Sequence, residues 1–166
     1  AAGSDADAEI GESHNPETHL IPLAIASAAG DRKALKIFGT DYSTADGTCV
    51  RDYIHVTDLA DAHVRALNHL LDGGDSNLFN LGAGVGYSVR EVVDAVGRIV
   101  GSPVPTEPSV RRPGDPTRLV ADTGHAREIL HWVPVNSDLD NIIATAWRWY
   151  QMRKQVLSRP GFAADK

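Results

Sequence analysis

Arg51 is the residue of this chain best placed to do chemistry. It lies in Thr48–Val56 (T-C-V-R-D-Y-I-H-V), where Val50, Tyr53, Ile54 and Val56 give strand character. A guanidinium held on a strand can be aimed at an anion. The plainer alternative is half of an ion pair with a nearby aspartate, and composition alone favours it. Gly82-Ala83-Gly84-Val85-Gly86 stands between a strand-like and a helix-like stretch, the context of a dinucleotide-binding turn. Its spacing is G-x-G-x-G, however, and Tyr87 stands where the third fingerprint glycine belongs. Ser102, not an acid, lies about 20 residues on. The pattern therefore reads as a tight turn that needs small residues.

Tyr150 and Lys154 are spaced like pairs in which a lysine lowers a catalytic phenol's pKa. Yet Tyr150 continues an apolar stripe, and Lys154 falls in the closing turns of a helix, where a cation suits the dipole. Packing is the reading adopted. The seven histidines form no H-x-H or H-x-x-x-H pair; His14 and His19, and His63 and His69, are the nearest neighbours. Cys49 is the sole cysteine, so no structural zinc site and no metal centre is expected. No G-x-S-x-G nucleophile turn occurs.

The elements that must position these residues alternate between strand and helix, which indicates an α/β arrangement. Ala1 to Pro16 reads as loop, Thr18–Ala29 as a helix ended by Gly30, and Ala34–Phe38 as a short strand. Val50–Val56 forms a strand and then a helix. Asp58 serves as its N-cap, Asp61 reaches back, and Leu59, His63, Leu67 and Leu70 or Leu71 make its apolar face. Ser76–Leu81 reads as a strand. Ser88–Val100 is the clearest helix, with a Ser88/Glu91 capping box, a valine stripe and Gly101 as its stop. Pro105 and Pro108 confine Val104–Val110 to a sheet edge. Asp122 caps a short helix, and a last helix opens at Ser137 and Asp140. The tail from Ser158 to Lys166 is expected to fray.

At 166 residues, 42% hydrophobic and 23% charged, the chain is globular rather than disordered. A net charge of -6 gives no nucleic-acid footprint, and no apolar run is long enough for a membrane span. One cysteine fits a reducing, cytoplasmic setting. The opening Ala1-Ala2-Gly3, without Met, suggests a fragment or a processed product.

Taken together, the ordered motifs carry more than each alone. Thr18-His19-Leu20-Ile21-Pro22, Ile37-Phe38-Gly39-Thr40-Asp41-Tyr42, Asp46-Gly47-Thr48 and Val50-Arg51-Asp52-Tyr53-Ile54-His55-Val56 come first. Asp58 to His63, Phe79-Asn80-Leu81-Gly82, Arg111-Arg112-Pro113-Gly114-Asp115 and Trp132-Val133-Pro134 follow. This set resembles the C-terminal half of the UDP-glucose 4-epimerases, in the extended short-chain dehydrogenase/reductase superfamily.

The resemblance implies the sugar-nucleotide-binding part of an extended Rossmann-type α/β fold: a small mixed sheet with helices, without the NAD-binding half. Residues 1–157 would form this domain, with 1–16 as entry loop and 158–166 as tail. It implies that Arg51 and Arg112 grip a diphosphate and that Asp115 accepts from ribose hydroxyls. The strand Lys36, Ile37 and Phe38 reads uracil by its backbone, and Thr18, His19 and Leu20 lie along the phosphates and sugar. Tyr53 lies beside the same site, and Leu119 beside the sugar's C2 substituent. His19 departs from the asparagine of many members.

The substrates implied are UDP-glucose and UDP-galactose. A tyrosine of the other half takes the 4-hydroxyl proton while NAD takes the hydride, and the parent is a homodimer. No catalytic or cofactor-binding residue is then expected in this chain, nor activity by it alone. Alternatives are another UDP-sugar epimerase or dehydratase of the superfamily, or a non-catalytic UDP-sugar-binding module.

Overall fold

The computed structural model describes residues 1–158, so the expected tail lies outside the described residues except for Ser158. The strongest local signals give the best-defined helix, α3 (Val89–Val100). Ser88 Oγ accepts from the Glu91 N–H, the Glu91 side chain accepts from the Ser88 N–H, and Gly101 ends the helix at φ 80°. Left-handed backbone favours glycine there. Val92, Ala95 and Val96 of α3 are buried against α1 (Leu20–Ala28) and α5 (Leu139–Leu157). Ile21, Ala24, Ile25, Ile142 and Ile143 complete that core. Asp138 caps α5 by accepting from the Asp140 and Asn141 N–H groups. The expected opening at Ser137 is therefore shifted, because Ser137 is committed elsewhere.

Two small sheets flank this helical layer. β1 (Leu35–Phe38) pairs in parallel with β4 (Thr106–Ser109), Ile37 opposite Pro108. A proline is tolerated in β4 because that strand has only one partner. In the second sheet β2 (Val50–Asp52) is central, antiparallel to β3 (Gly86–Ser88) and parallel to β5 (Arg118–Leu119). The mixed α/β class expected from the sequence is the observed one.

α2 (Val56–Leu71) departs from expectation at its start and on its face. His55, not Asp58, is the N-cap: its Nδ1 accepts from the Thr57 N–H at 3.1 Å. Asp58 instead points inward, taking hydrogen bonds from the Asn136 N–H (2.8 Å), Asn136 Nδ2 (2.8 Å) and Ser137 Oγ (2.6 Å). Leu59, Ala62 and Ala66 pack on α4 (Gly124–Leu130) and Trp132, whereas His63, Leu67, Leu70 and Leu71 are exposed.

Ser76–Leu81 is not a strand. A strand exists only through a ladder partner, and none pairs with this stretch among the described residues; Leu78 is 91% exposed. Residues 1–16 are loop, as expected, but fastened. The Ala2 N–H donates to the Ile54 carbonyl, Ser4 Oγ donates to the Thr145 carbonyl, and Trp149 Nε1 donates to the Glu12 carbonyl.

The buried His55–Asp58 network gives a pH prediction. Burial holds the His55 pKa below its ordinary 6.5, outweighing the opposing pull of Asp58. Burial acts to raise the Asp58 carboxyl, but hydrogen bonds from Ser137 and Asn136 outweigh it, leaving it below 3.8. Both groups bind protons more readily unfolded, so stability falls with pH. The His55 share is complete above its ordinary value and is lost as pH falls through its lower folded one. The Asp58 share follows near and below 3.8. Thermal melts from pH 7.5 to 5 should show a falling Tm that flattens in His55→Asn, which retains a capping side chain. An unchanged slope in that variant would refute the assignment.

Candidate functional site

A cleft of about 660 Å³ opens between β1, β2, the start of α1 and the loop 111–115. Eight of the eleven residues singled out from sequence line it: Thr18, Leu20, Lys36, Phe38, Arg51, Tyr53, Arg112 and Asp115. Local structure explains the placement. In β1 the Leu35 and Gly39 N–H groups donate to Pro105 and Ser109, so strand alternation turns those of Lys36 and Phe38 to the unpaired edge. That edge offers donors and acceptors at the spacing a planar base can use. Ile37 is 5% exposed and faces the core, so it contributes through its backbone.

Arg112 lies over the Phe38 ring, 4.0 Å from its centroid. Arg51 donates to the Val50 carbonyl at 2.6 Å and pairs with Asp115 inside the cleft. The structural ion pair and the anion-facing arginine are thus one arrangement. Arg32, Lys33, Lys36, Arg51 and Arg112 give five cations in the lining, against Glu17, Glu107 and Asp115, a local excess of two in a chain of net charge -6. A polyanion is the ligand such a lining favours. Burial pushes the Tyr53 phenol up to about 12, and it raises the Cys49 thiol beside it.

Two expected site residues lie outside the cleft. Leu119 sits on β5 opposite Arg51 in register, exposed. His19 turns instead into a cluster with Glu12, His14 and Glu17, whose ligand atoms all lie within 4.8 Å of one another. His14 Nδ1 is 2.6 Å and His19 Nδ1 2.7 Å from Glu12 Oε1, and His19 Nδ1 is 2.9 Å from Glu17 Oε1. Histidine spacing alone hides this group; the alternation E-x-H-x-x-E-x-H over 12–19 is the signal that shows it.

Both tempting motifs resolve into structure. The Gly82–Gly86 turn closes on Asp52, whose carboxylate accepts from the Ala83 (2.8 Å), Gly84 (3.0 Å) and Ala121 (3.2 Å) N–H groups. A Cβ at position 82 would meet Asp52 Oδ2 at 2.4 Å, so glycine is required by that approach. Asp52, missed from the sequence, is the anion this turn holds. Tyr150 and Lys154 both donate to Asp31 (2.5 and 2.6 Å). Burial, then the Asp31 hydrogen bond, raises the Tyr150 pKa, the reverse of what a base needs.

A base-sized strand edge beside paired arginines describes a nucleotide-type anion site on an α/β frame. Residues 9–82 match the NAD dependent epimerase/dehydratase family. The UDP-glucose 4-epimerase of Rhizobium meliloti (strain 1021) is 54% identical over 155 residues, 93% of this chain and 47% of that protein. The crystal structure of UDP-glucose 4-epimerase from Brucella ovis in complex with NAD is 52% identical, covers 89% of this chain and 46% of that one, and superposes with a TM-score of 0.85. The Bifidobacterium longum enzyme, in complex with NAD+ and UDP, is 36% identical over 92% of this chain and 45% of its own, TM-score 0.86. Over the part that it spans, the chain is similar in sequence and fold to UDP-glucose 4-epimerases, as the motif order anticipates. It spans about half the length of the relatives it matches.

Proposed function

We propose that this chain is the UDP-sugar-anchoring part of an NAD-dependent UDP-glucose 4-epimerase interconverting UDP-glucose and UDP-galactose in galactose metabolism. The observation that carries this is the union of Arg51, Arg112 and the free edge of Lys36–Phe38 in one cleft, in a chain 54% identical to such an enzyme. The two guanidiniums suit a diphosphate, which they can meet bidentately. The β1 edge suits uracil. Asp115, already paired with Arg51, offers its second carboxylate oxygen to ribose hydroxyls. Thr18 and Leu20 flank the phosphates and sugar, and Leu119 stands toward the sugar's C2 substituent. Strong contacts to the non-reacting UDP position the hexose while leaving it free to turn.

The residues present do not fit NAD. The one glycine turn of suitable context has its amides taken by the Asp52 carboxylate, so no hydride step is assigned to this chain. NAD binding, the catalytic base and the homodimer contact are assigned to the rest of an epimerase-length protein. Among the described residues no helix is long and apolar enough to cross a membrane. A buried free Cys49 suits a reducing cytoplasm.

Calorimetry with UDP tests the reading in an epimerase-length chain carrying these residues. Arg51→Ala and Arg112→Ala should each weaken binding by about 1.5–3 kcal/mol, the range for hydrogen bonds to charged groups. Unchanged affinity in both would remove the site.

A further inference from the structure

Glu12, His14, Glu17 and His19 form a group of mixed metal-ligand chemistry, of which only Glu17 also lines the cleft assigned to a UDP-sugar. We propose that these four side chains constitute a divalent transition-metal site of the zinc class, which staples the entry segment to the start of α1.

Donor set and count come first. Two imidazoles and two carboxylates are the nitrogen and oxygen ligands zinc takes, and four protein donors make a closed, structural site. Their ligand atoms already lie within 4.8 Å of one another. Zinc at its usual bond lengths of about 2.0–2.2 Å holds tetrahedral donors about 3.4 Å apart, so an ion is reached by sub-ångström to ångström adjustments of exposed or half-exposed side chains.

Charge balance points the same way. Three short contacts join the two histidine Nδ1 atoms to Glu12 Oε1 and Glu17 Oε1. Two carboxylates thus share the two imidazole rings, and no lysine or arginine pairs with either among the described residues. Glu17 Oε1 accepts from the Thr18 (2.7 Å) and His19 (2.8 Å) N–H groups, which aim it at the His19 ring. A dication would be ligated by both carboxylates and replace the protons shared in these contacts.

The frame is also pre-set. Glu12 and His14 lie on a loop pinned to α5 by Trp149 Nε1 on the Glu12 carbonyl, 2.8 Å. Gly11 packs so closely on the Trp149 ring that a Cβ there would come within 2.4 Å. Glu17 and His19 are fixed on the other side in the turn just before α1, where Glu17 Oε1 accepts from the Thr18 and His19 N–H groups. The ion would cross-link two segments now held across space by the His19–Glu12 contact. Glu12, His14 and Glu17 line a second cleft of about 260 Å³, which gives the metal an entry path.

The test titrates the 166-residue chain with Zn2+ against a chromophoric chelator and with Co2+ read by its visible spectrum. One saturating equivalent is expected, with a tetrahedral Co2+ spectrum and affinity falling as pH drops, because the ligating imidazoles must be deprotonated. Glu12→Gln and His14→Gln should each weaken Zn2+ by about tenfold or more, while His69→Gln, remote in sequence from the cluster, leaves it unchanged. Circular dichroism checks that the variants fold, and X-ray absorption at the zinc edge of the wild-type chain should report two imidazoles among nitrogen and oxygen donors. Failure to saturate, or stoichiometric binding that survives both cluster substitutions, would overturn the proposal and leave the group as a hydrogen-bonded helix cap. Zn2+ affinity and UDP affinity measured in metal-free buffer are separate readouts, so this inference and the anchoring function stand or fall separately.

Discussion

Purified residues 1–166, given NAD and UDP-galactose, should produce no UDP-glucose. Epimerisation needs a base within hydrogen-bond reach of the sugar's 4-hydroxyl and an acceptor for the C4 hydride. The phenol in the cleft, Tyr53, is pushed up to about 12 and stays protonated at neutral pH. Tyr150 is raised as well and is bound with Lys154 to Asp31. The glycine turn already holds a carboxylate. UDP itself should still bind, weakly, through the arginines. The same preparation should self-associate. Val64, Leu67 and Leu71 share one face of α2 by their spacing, and that face is exposed together with Leu78. An apolar patch of more than a few hundred Å² is unusual on a monomer. Coupled assay and size-exclusion chromatography settle both halves, and turnover by a monodisperse monomer would defeat the argument.

Trp132→Ala should lower the stability of the chain by about 3–5 kcal/mol, the cost of emptying a large aromatic site. Trp132 is 1% exposed at the centre of the smaller core, among Ile54, Ala62, Ala126 and Leu130. Its Nε1 donates to the Asp58 carbonyl at 3.0 Å, joining α4's exit to the first turn of α2. Trp132→Phe separates the contributions: it keeps most of the packing but forfeits that hydrogen bond, worth about 1 kcal/mol net. Urea unfolding read by circular dichroism gives both values. A loss below 1.5 kcal/mol for the alanine variant would mean that this core is not what holds α2 in place.

The sequence discloses most where a signal is local. The Ser88/Glu91 box, the valine stripe and Gly101 lie within one helix, and α3 has those limits. Motif order carries the cleft, because Arg51, Arg112 and Phe38 are recognisable one by one though far apart in the chain. What stayed hidden depended on distant partners. Asp58 looks like a cap until Asn136 and Ser137 arrive to claim it. Asp52 looks unremarkable until the glycine turn folds over it. Ser76–Leu81 has a strand's composition, but hydrogen bonding to a neighbour is a property of two segments, not one. The Glu12–His19 group escaped because its histidines are spaced five apart, with the acids interleaved.

The fastening of the first dozen residues to α5 has a consequence for how the molecule is made. Ser4, Ala6 and Glu12 find their partners at Thr145, Arg148 and Trp149, more than 130 positions downstream. Within this stretch they are synthesised well before α5, and these three contacts can form only once α5 has emerged. Closing so long a loop has an entropic cost that only finished packing offsets. The fastening of the opening segment to α5 is therefore a late contact in synthesis, dependent on the packing of α1, α3 and α5 that positions Thr145 to Trp149.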